Sequence, residues 1–111
     1  MGDEYLGEFE HLVLLAIVQL GPGAHGAPIR RLIAQRAERG VSLGAVYSTL
    51  RRLHAKGHVQ AHEQPAESTR GGRPRRVFRL TPGGQDALDA ARRRLRRMSA
   101  GVAASVSTAG D

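Results

Sequence analysis

Glycine and proline cut this chain so often that only short elements fit between the cuts. Gly21-Pro22-Gly23, Gly40, Gly57, Gly71-Gly72 and Thr81-Pro82 each fall where a periodic segment stops. Between these marks there is room for one short helix or one short strand at a time. The apolar spacing decides which.

Leu6 to Leu20 has helical period, with Leu6, Phe9, Leu12, Val13, Ile17 and Leu20 on one face. Leu14, Leu15 and Val18 make the opposite side apolar too. A helix apolar nearly all round is buried on more than one side, so a subunit interface is expected on its second side. A second helix is predicted over 27–39, with Pro28 in its first turn, Ile29, Leu32, Ile33 and Ala37 buried, and Gly40 ending it. Gly40 and Val41 would then be the whole link to a third helix, capped by the Ser42 hydroxyl. Leu43, Val46, Tyr47, Leu50 and Leu53 form its inward stripe, and Gly57 closes it.

Val59 to Gln64 reads as a strand with Val59 and Ala61 inward. Arg75 to Leu80 reads as its returning partner, with Phe78 and Leu80 sharing a face. The loop between them is longer than a tight hairpin needs, and carries Gly-Gly between arginines. Thr81 and Pro82 supply N-cap and first helical residue of a last helix. In it Leu88, Ala91, Leu95, Met98 and Val102 recur at the spacing of a coiled-coil seam. Three helices, a two-stranded hairpin and a final helix make a mainly α (α+β) chain with the plan of a winged helix-turn-helix. The expected division is a winged helix domain over 1–80, a C-terminal dimerisation helix over 81–102 and a flexible tail over 103–111.

Charge narrows the function. The 111-residue chain has a net charge of +7, and all 17 Lys and Arg lie between Arg30 and Arg97. Only five acids fall in that stretch, which therefore carries +12, whereas the first ten residues hold four acids and no base. A basic block of this kind suits a polyanion such as nucleic acid. The outer face of the third helix agrees. Gly44 and Ala45 let a helix axis approach base edges in a major groove. Ser48 and Thr49 can bond phosphates or bases, and Arg51, Arg52 and Lys56 can reach phosphates. Arg70, Arg73 and Arg75 on the hairpin can follow a backbone or enter a minor groove. Ser42 completes the predicted DNA-binding set. The run Arg92-Arg93-Arg94-Leu95-Arg96-Arg97 reads as the wet faces of the dimer helix, with Leu95 in its seam.

Other chemistries find little support. No cysteine is present, which excludes disulfides and thiolate metal sites and suits a reducing cytoplasm. The acidic N-terminus lacks the basic start of a signal peptide. The longest apolar run, Leu12 to Val18, is too short to span a bilayer, so no membrane partner is expected. Gly57 breaks helical spacing between His54 and His58, and strand rise separates His58 from His62 by about 13 Å. No metal site is expected, nor any cofactor. There is no nucleophile elbow, P-loop or dinucleotide loop, so no catalytic residues are assigned.

The residues also resemble the PadR family of bacterial transcriptional regulators. The likeness runs through Leu6-Gly-Glu-Phe-Glu-His-Leu-Val-Leu-Leu-Ala-Ile, Gly26-Ala-Pro-Ile-Arg-Arg, Val41-Ser-Leu-Gly-Ala-Val-Tyr-Ser-Thr-Leu-Arg-Arg-Leu and Gly71-Gly-Arg-Pro-Arg-Arg-Val-Phe-Arg-Leu-Thr-Pro-Gly-Gly. It implies a cytoplasmic homodimer that binds a pseudo-palindromic operator in double-stranded DNA as a repressor. First and last helices would build the dimer, through Leu6, Phe9, Val13, Leu14, Ile17, Leu88, Ala91, Leu95 and Met98. His25, His58 and Val77 depart from the family pattern at packing positions. A small-molecule effector belongs to some members; the absence of Trp and the short last helix name none here. The alternative reading of the same fold is a protein–protein docking module that binds no DNA.

Overall fold

The computed structural model describes residues 5–65 and 74–102. Its elements run α1 (Glu8–Leu20), a 3-10 turn (Gly21–Gly23), α2 (Gly26–Arg36), α3 (Leu43–Ala55), β1 (Val59–Gln64), β2 (Arg75–Leu80) and α4 (Pro82–Ser99). This is the expected winged helix-turn-helix. Both strands have the predicted bounds. They pair antiparallel from Val59 opposite Leu80 to Gln64 opposite Arg75. The far edge of β2 is also engaged, because the Phe78 N–H donates to the carbonyl of Ala24 at 2.8 Å. Among the described residues no helix is long and apolar enough to cross a membrane.

One core gathers side chains from every layer: Val13, Leu14 and Ile17 of α1, Ile29 and Ile33 of α2, Val46, Leu50 and Leu53 of α3, Val59 and Phe78 of the hairpin, and Leu88 of α4. α1 therefore packs into the core of its own chain along one face. Val13, Leu14 and Ile17, expected at a subunit interface, are buried within the single chain, as are Leu88 and Ala91. Leu6 and Phe9 are half-buried against the same core. On the second apolar side of α1 Leu14 is buried and Leu15 half-buried, while Val18 stays 51% exposed; β2 and α4, distant in sequence, supply part of the cover.

Two further expectations are corrected. α2 begins at Gly26 and stops at Arg36, three residues short of the predicted end, and Ala37 is exposed. Glu38 takes a left-handed backbone (φ 53°) that ends the helical path before Gly40. The longer connection lets Arg39 lie 5.0 Å above the Phe9 ring and pair with Glu8 at 3.2 Å, while Val41 packs on the core. Leu43, placed in the inward stripe, is exposed, because it opens α3 where no neighbouring element overhangs it.

The Tyr47 ring of α3 packs closely over Gly26 at the start of α2. A Cβ there would stand 2.6–2.7 Å from the Tyr47 ring, so only glycine lets that ring lie against the α2 start. At the other end of α3, Thr81 ties α4 to the helix–strand corner. Its N–H donates to the His58 carbonyl at 3.0 Å and its hydroxyl donates to the Gly57 carbonyl at 2.6 Å. The same hydroxyl oxygen accepts from the Gly84 N–H at 2.9 Å, which caps α4.

Candidate nucleic-acid interface

α3 starts cleanly because the Ser42 hydroxyl accepts from the Ala45 N–H at 3.0 Å. Helical rotation then brings Gly44, Ser48 and Arg51 onto one outward ridge, with Ala45 and Arg52 on one flank and Tyr47 and His54 on the other. Gly44 is exposed, and a Cβ built on it would meet nothing nearer than the Ser42 hydroxyl at 3.9 Å. The Arg51 guanidinium donates to the Ser48 hydroxyl at 3.2 Å. Such bonds lay the long side chain along the helix, so less rotamer freedom is lost when it meets a phosphate. Arg51 has no acidic partner among the described residues.

Two of the predicted contact residues lie elsewhere. Thr49 is 1% exposed and faces the core side of α3, where its hydroxyl accepts from Arg52 at 3.0 Å. It shapes the interior and steers Arg52; it does not present a hydroxyl outward. Lys56 is turned back onto α1. Its ammonium lies 2.9 and 3.1 Å from the two oxygens of Glu10. Arg52 Nε stands 3.8 Å from the same carboxylate.

Glu10 is the residue that sequence reading passed over. It sits among the acids of the N-terminus, where nothing local separates it from Glu8. In the fold it is buried and reaches back from the first turn of α1 to accept from the N-cap Gly7 N–H at 2.9 Å, the carboxylate half of a capping box. Burial by itself pushes its carboxyl pKa up. The hydrogen bonds from Lys56 and Gly7 and the charges of Lys56 and Arg52 outweigh that and hold it below the ordinary value of 4.5.

Between α3 and the hairpin lies a cleft of about 440 Å³ with Arg51, His54 and Arg76 among its walls and Tyr47, Ala61 and Phe78 beneath. His54 and Arg76 are thus cationic or titratable neighbours of the ridge that the sequence-based set omitted. The signal was present: His54 follows Arg51 by three positions, one turn along the helix. Arg75 is exposed at the outer end of β2, opposite Gln64. Arg70 and Arg73 lie outside the described residues.

The dimer-helix residues divide as well. Leu95 and Met98 are 57% and 79% exposed, and Val102 is also exposed. The five arginines between Arg92 and Arg97 are exposed too. Arg94 lies 4.4 Å above the Tyr5 ring.

Residues 14–90 match the family described as "Transcriptional regulator PadR-like family". The chain is 38% identical over 75 residues to the transcriptional regulator Rv3488 of Mycobacterium tuberculosis. That alignment covers 68% of this chain and 65% of the relative, a little under two thirds of its length. Among solved structures, a PadR family transcription regulator from Clostridium difficile superposes with a TM-score of 0.71 at 20% identity, over 84% of this chain and 92% of the other. A PadR-like transcriptional regulator from Bacillus cereus gives a TM-score of 0.72 at 20% identity, over 88% and 90%. These structures share the winged fold, and the family match takes in most of α1 together with the ridge on α3 and the hairpin. The chain belongs to the PadR-like family of transcriptional regulators.

Proposed function

We propose that the protein acts as a homodimeric repressor that lays the Gly44–Ser48–Arg51 ridge of each subunit into successive major grooves of a pseudo-palindromic operator. The half-sites lie about one helical turn, roughly 10 bp, apart. Ser42, Ala45 and Arg52 flank the ridge, and Arg75 follows the adjacent backbone with Arg70 and Arg73 of the same loop. Repression follows if the bound dimer occupies DNA that RNA polymerase needs.

The observation that carries this reading is the ridge itself. It combines a residue without a side chain, a hydroxyl and a guanidinium with no acidic partner among the described residues, and the core does not use it. The dimer is supported by the second half of α4, where Leu95 and Met98 stay exposed at seam spacing after Leu88 and Ala91 are buried; the helix ends at Ser99, so Val102 does not extend the seam.

Gly44→Leu tests the ridge. The space around Gly44 accepts a side chain, and leucine favours a helix more than glycine does, so the fold should hold or gain slightly. In a groove the same side chain would hold the helix off the bases. Operator fragments selected from random duplex DNA should bind this variant about tenfold more weakly or worse, the loss of one base-reading contact or more. Undiminished binding by a folded Gly44→Leu protein would remove α3 from the interface. On a template carrying the selected site, added wild-type protein should lower transcription; a rise would reverse the assigned sign.

A further inference from the structure

Glu10 is not among the residues proposed to contact DNA, yet it touches two cationic side chains at that surface. Its side chain is 8% exposed, and three donor groups converge on it: the Gly7 N–H, the Lys56 ammonium, which lies within hydrogen-bond distance of both oxygens, and, at longer range, Arg52 Nε. An ammonium has three donors. The Lys56 ammonium faces both oxygens of Glu10, so its donors are turned toward α1, and its side chain is only 26% exposed. Arg52 remains 57% exposed, with Nε toward Glu10 and Nη2 on Thr49. One carboxylate on α1 therefore offsets the charge of Lys56, the C-cap of α3, and, with Thr49, orients the neighbouring Arg52 guanidinium.

We propose that Glu10 is a positioning residue for DNA binding, an internal counter-charge that withholds Lys56 from phosphates while aiming Arg52 at them. The inference rests on α3 being the DNA-facing helix. Its consequence concerns selectivity. Phosphate neutralisation supplies nearly all binding to DNA of arbitrary sequence. A lysine paired inside the protein adds nothing to that background, whereas a free one adds to it on every sequence. Glu10 thus trades non-specific affinity for discrimination.

Glu10→Gln separates charge from shape. The amide oxygen can still accept from Gly7, so the cap is kept, while the negative charge that holds Lys56 is gone. The probe is a fluorescein-labelled duplex of mixed sequence, with affinity measured by anisotropy across a salt series and each variant's fold checked by circular dichroism. Releasing Lys56 should steepen the slope of log affinity against log salt by about 0.9 for each subunit on the DNA, the value for one more phosphate, and so by about 1.8 for the proposed dimer. Affinity at low salt should rise several-fold. Lys56→Met alone should leave the slope where it is, and Glu10→Gln with Lys56→Met should return it to the wild-type value. A purely structural role for Glu10 would lower stability and leave the slope unmoved.

The proposal is overturned if Glu10→Gln keeps the wild-type slope. It is overturned equally if Lys56→Met lowers the slope as much in the wild-type background as beside Glu10→Gln, since Lys56 would then reach DNA unhindered. Should Glu10→Gln not fold, Lys56→Met decides alone: an unchanged slope supports the counter-charge, and a loss of about 0.9 per subunit on the DNA refutes it. A wild-type protein that retains no duplex even at low salt would sink the DNA-facing assignment of α3, and this inference with it. Binding whose salt slope ignores position 10 would sink this inference only.

Discussion

Adding one methyl group at Gly84 should unseat α4 from the DNA-binding body. A Cβ there would overlap the carbonyl oxygen of His58 and stand 2.8 Å from its carbon and 3.1 Å from its Cα. All three are backbone atoms, so no side-chain rotation relieves the clash. The start of α4 must move, and with it the three bonds Thr81 makes to His58, Gly57 and Gly84. Forcing a methyl into a closed contact costs about 1–3 kcal/mol. Weakening those bonds adds about 1 kcal/mol each where they are lost. The better helix preference of alanine returns about 1 kcal/mol. The net expectation for Gly84→Ala is a destabilisation of about 2–4 kcal/mol, or a fall in melting midpoint of roughly 10–30 °C for a domain of this size. Thermal melts by circular dichroism at one fixed protein concentration measure it. Gly83→Ala is the matched control, since its Cβ would find only ordinary contacts at 3.7 Å to Gly57 and Thr81. That variant should melt at or slightly above the wild type. If Gly84→Ala did the same, helix preference would have outweighed the close approach, and the account of how α4 is seated would be wrong.

Three other perturbations probe separate parts of the structure. His11 is shifted below its ordinary value of 6.5, first by burial and then by the charges of Arg92 and Arg94. The unfolded chain therefore binds that proton more readily. Its contribution to stability is full above about pH 6.5 and is lost as pH falls through the folded value; urea midpoints measured from pH 8 to 5 should show this slope, and His11→Gln should flatten it. The His58 ring has both nitrogens buried without a hydrogen-bond partner in the protein. His58→Leu should therefore raise stability by about 1 kcal/mol in urea unfolding, and a loss would mean the ring is satisfied in solution. Leu95→Asp with Met98→Asp should turn a dimer into a monomer by analytical ultracentrifugation without lowering helix content, because both residues are exposed in the single chain; an unchanged dimer would place the interface elsewhere.

The sequence by itself determined the elements. Ser42 and Thr81 are followed by helical periodicity and cap their helices as expected, because a cap needs only a hydroxyl and the N–H groups a few positions on. Both strands could be bounded because alternation and turn residues act over the same short range. The ridge of Gly44, Ser48 and Arg51 was legible for the same reason: residues three and four apart share a helix face whatever surrounds them.

Tertiary docking decided what each flank of those elements meets. Thr49 and Lys56 look as polar as Ser48 and Arg51, but α1 lies against their side of α3 and offers Glu10, which is 46 positions from Lys56. Val13, Leu14 and Ile17 announce burial in their composition; that α4 and β2 of the same chain cover them, leaving Leu95 and Met98 exposed, depends on where the chain returns. Local periodicity sets which residues share a face. The neighbour that covers the face is chosen by contacts far apart in sequence, and so is the fate of its charges.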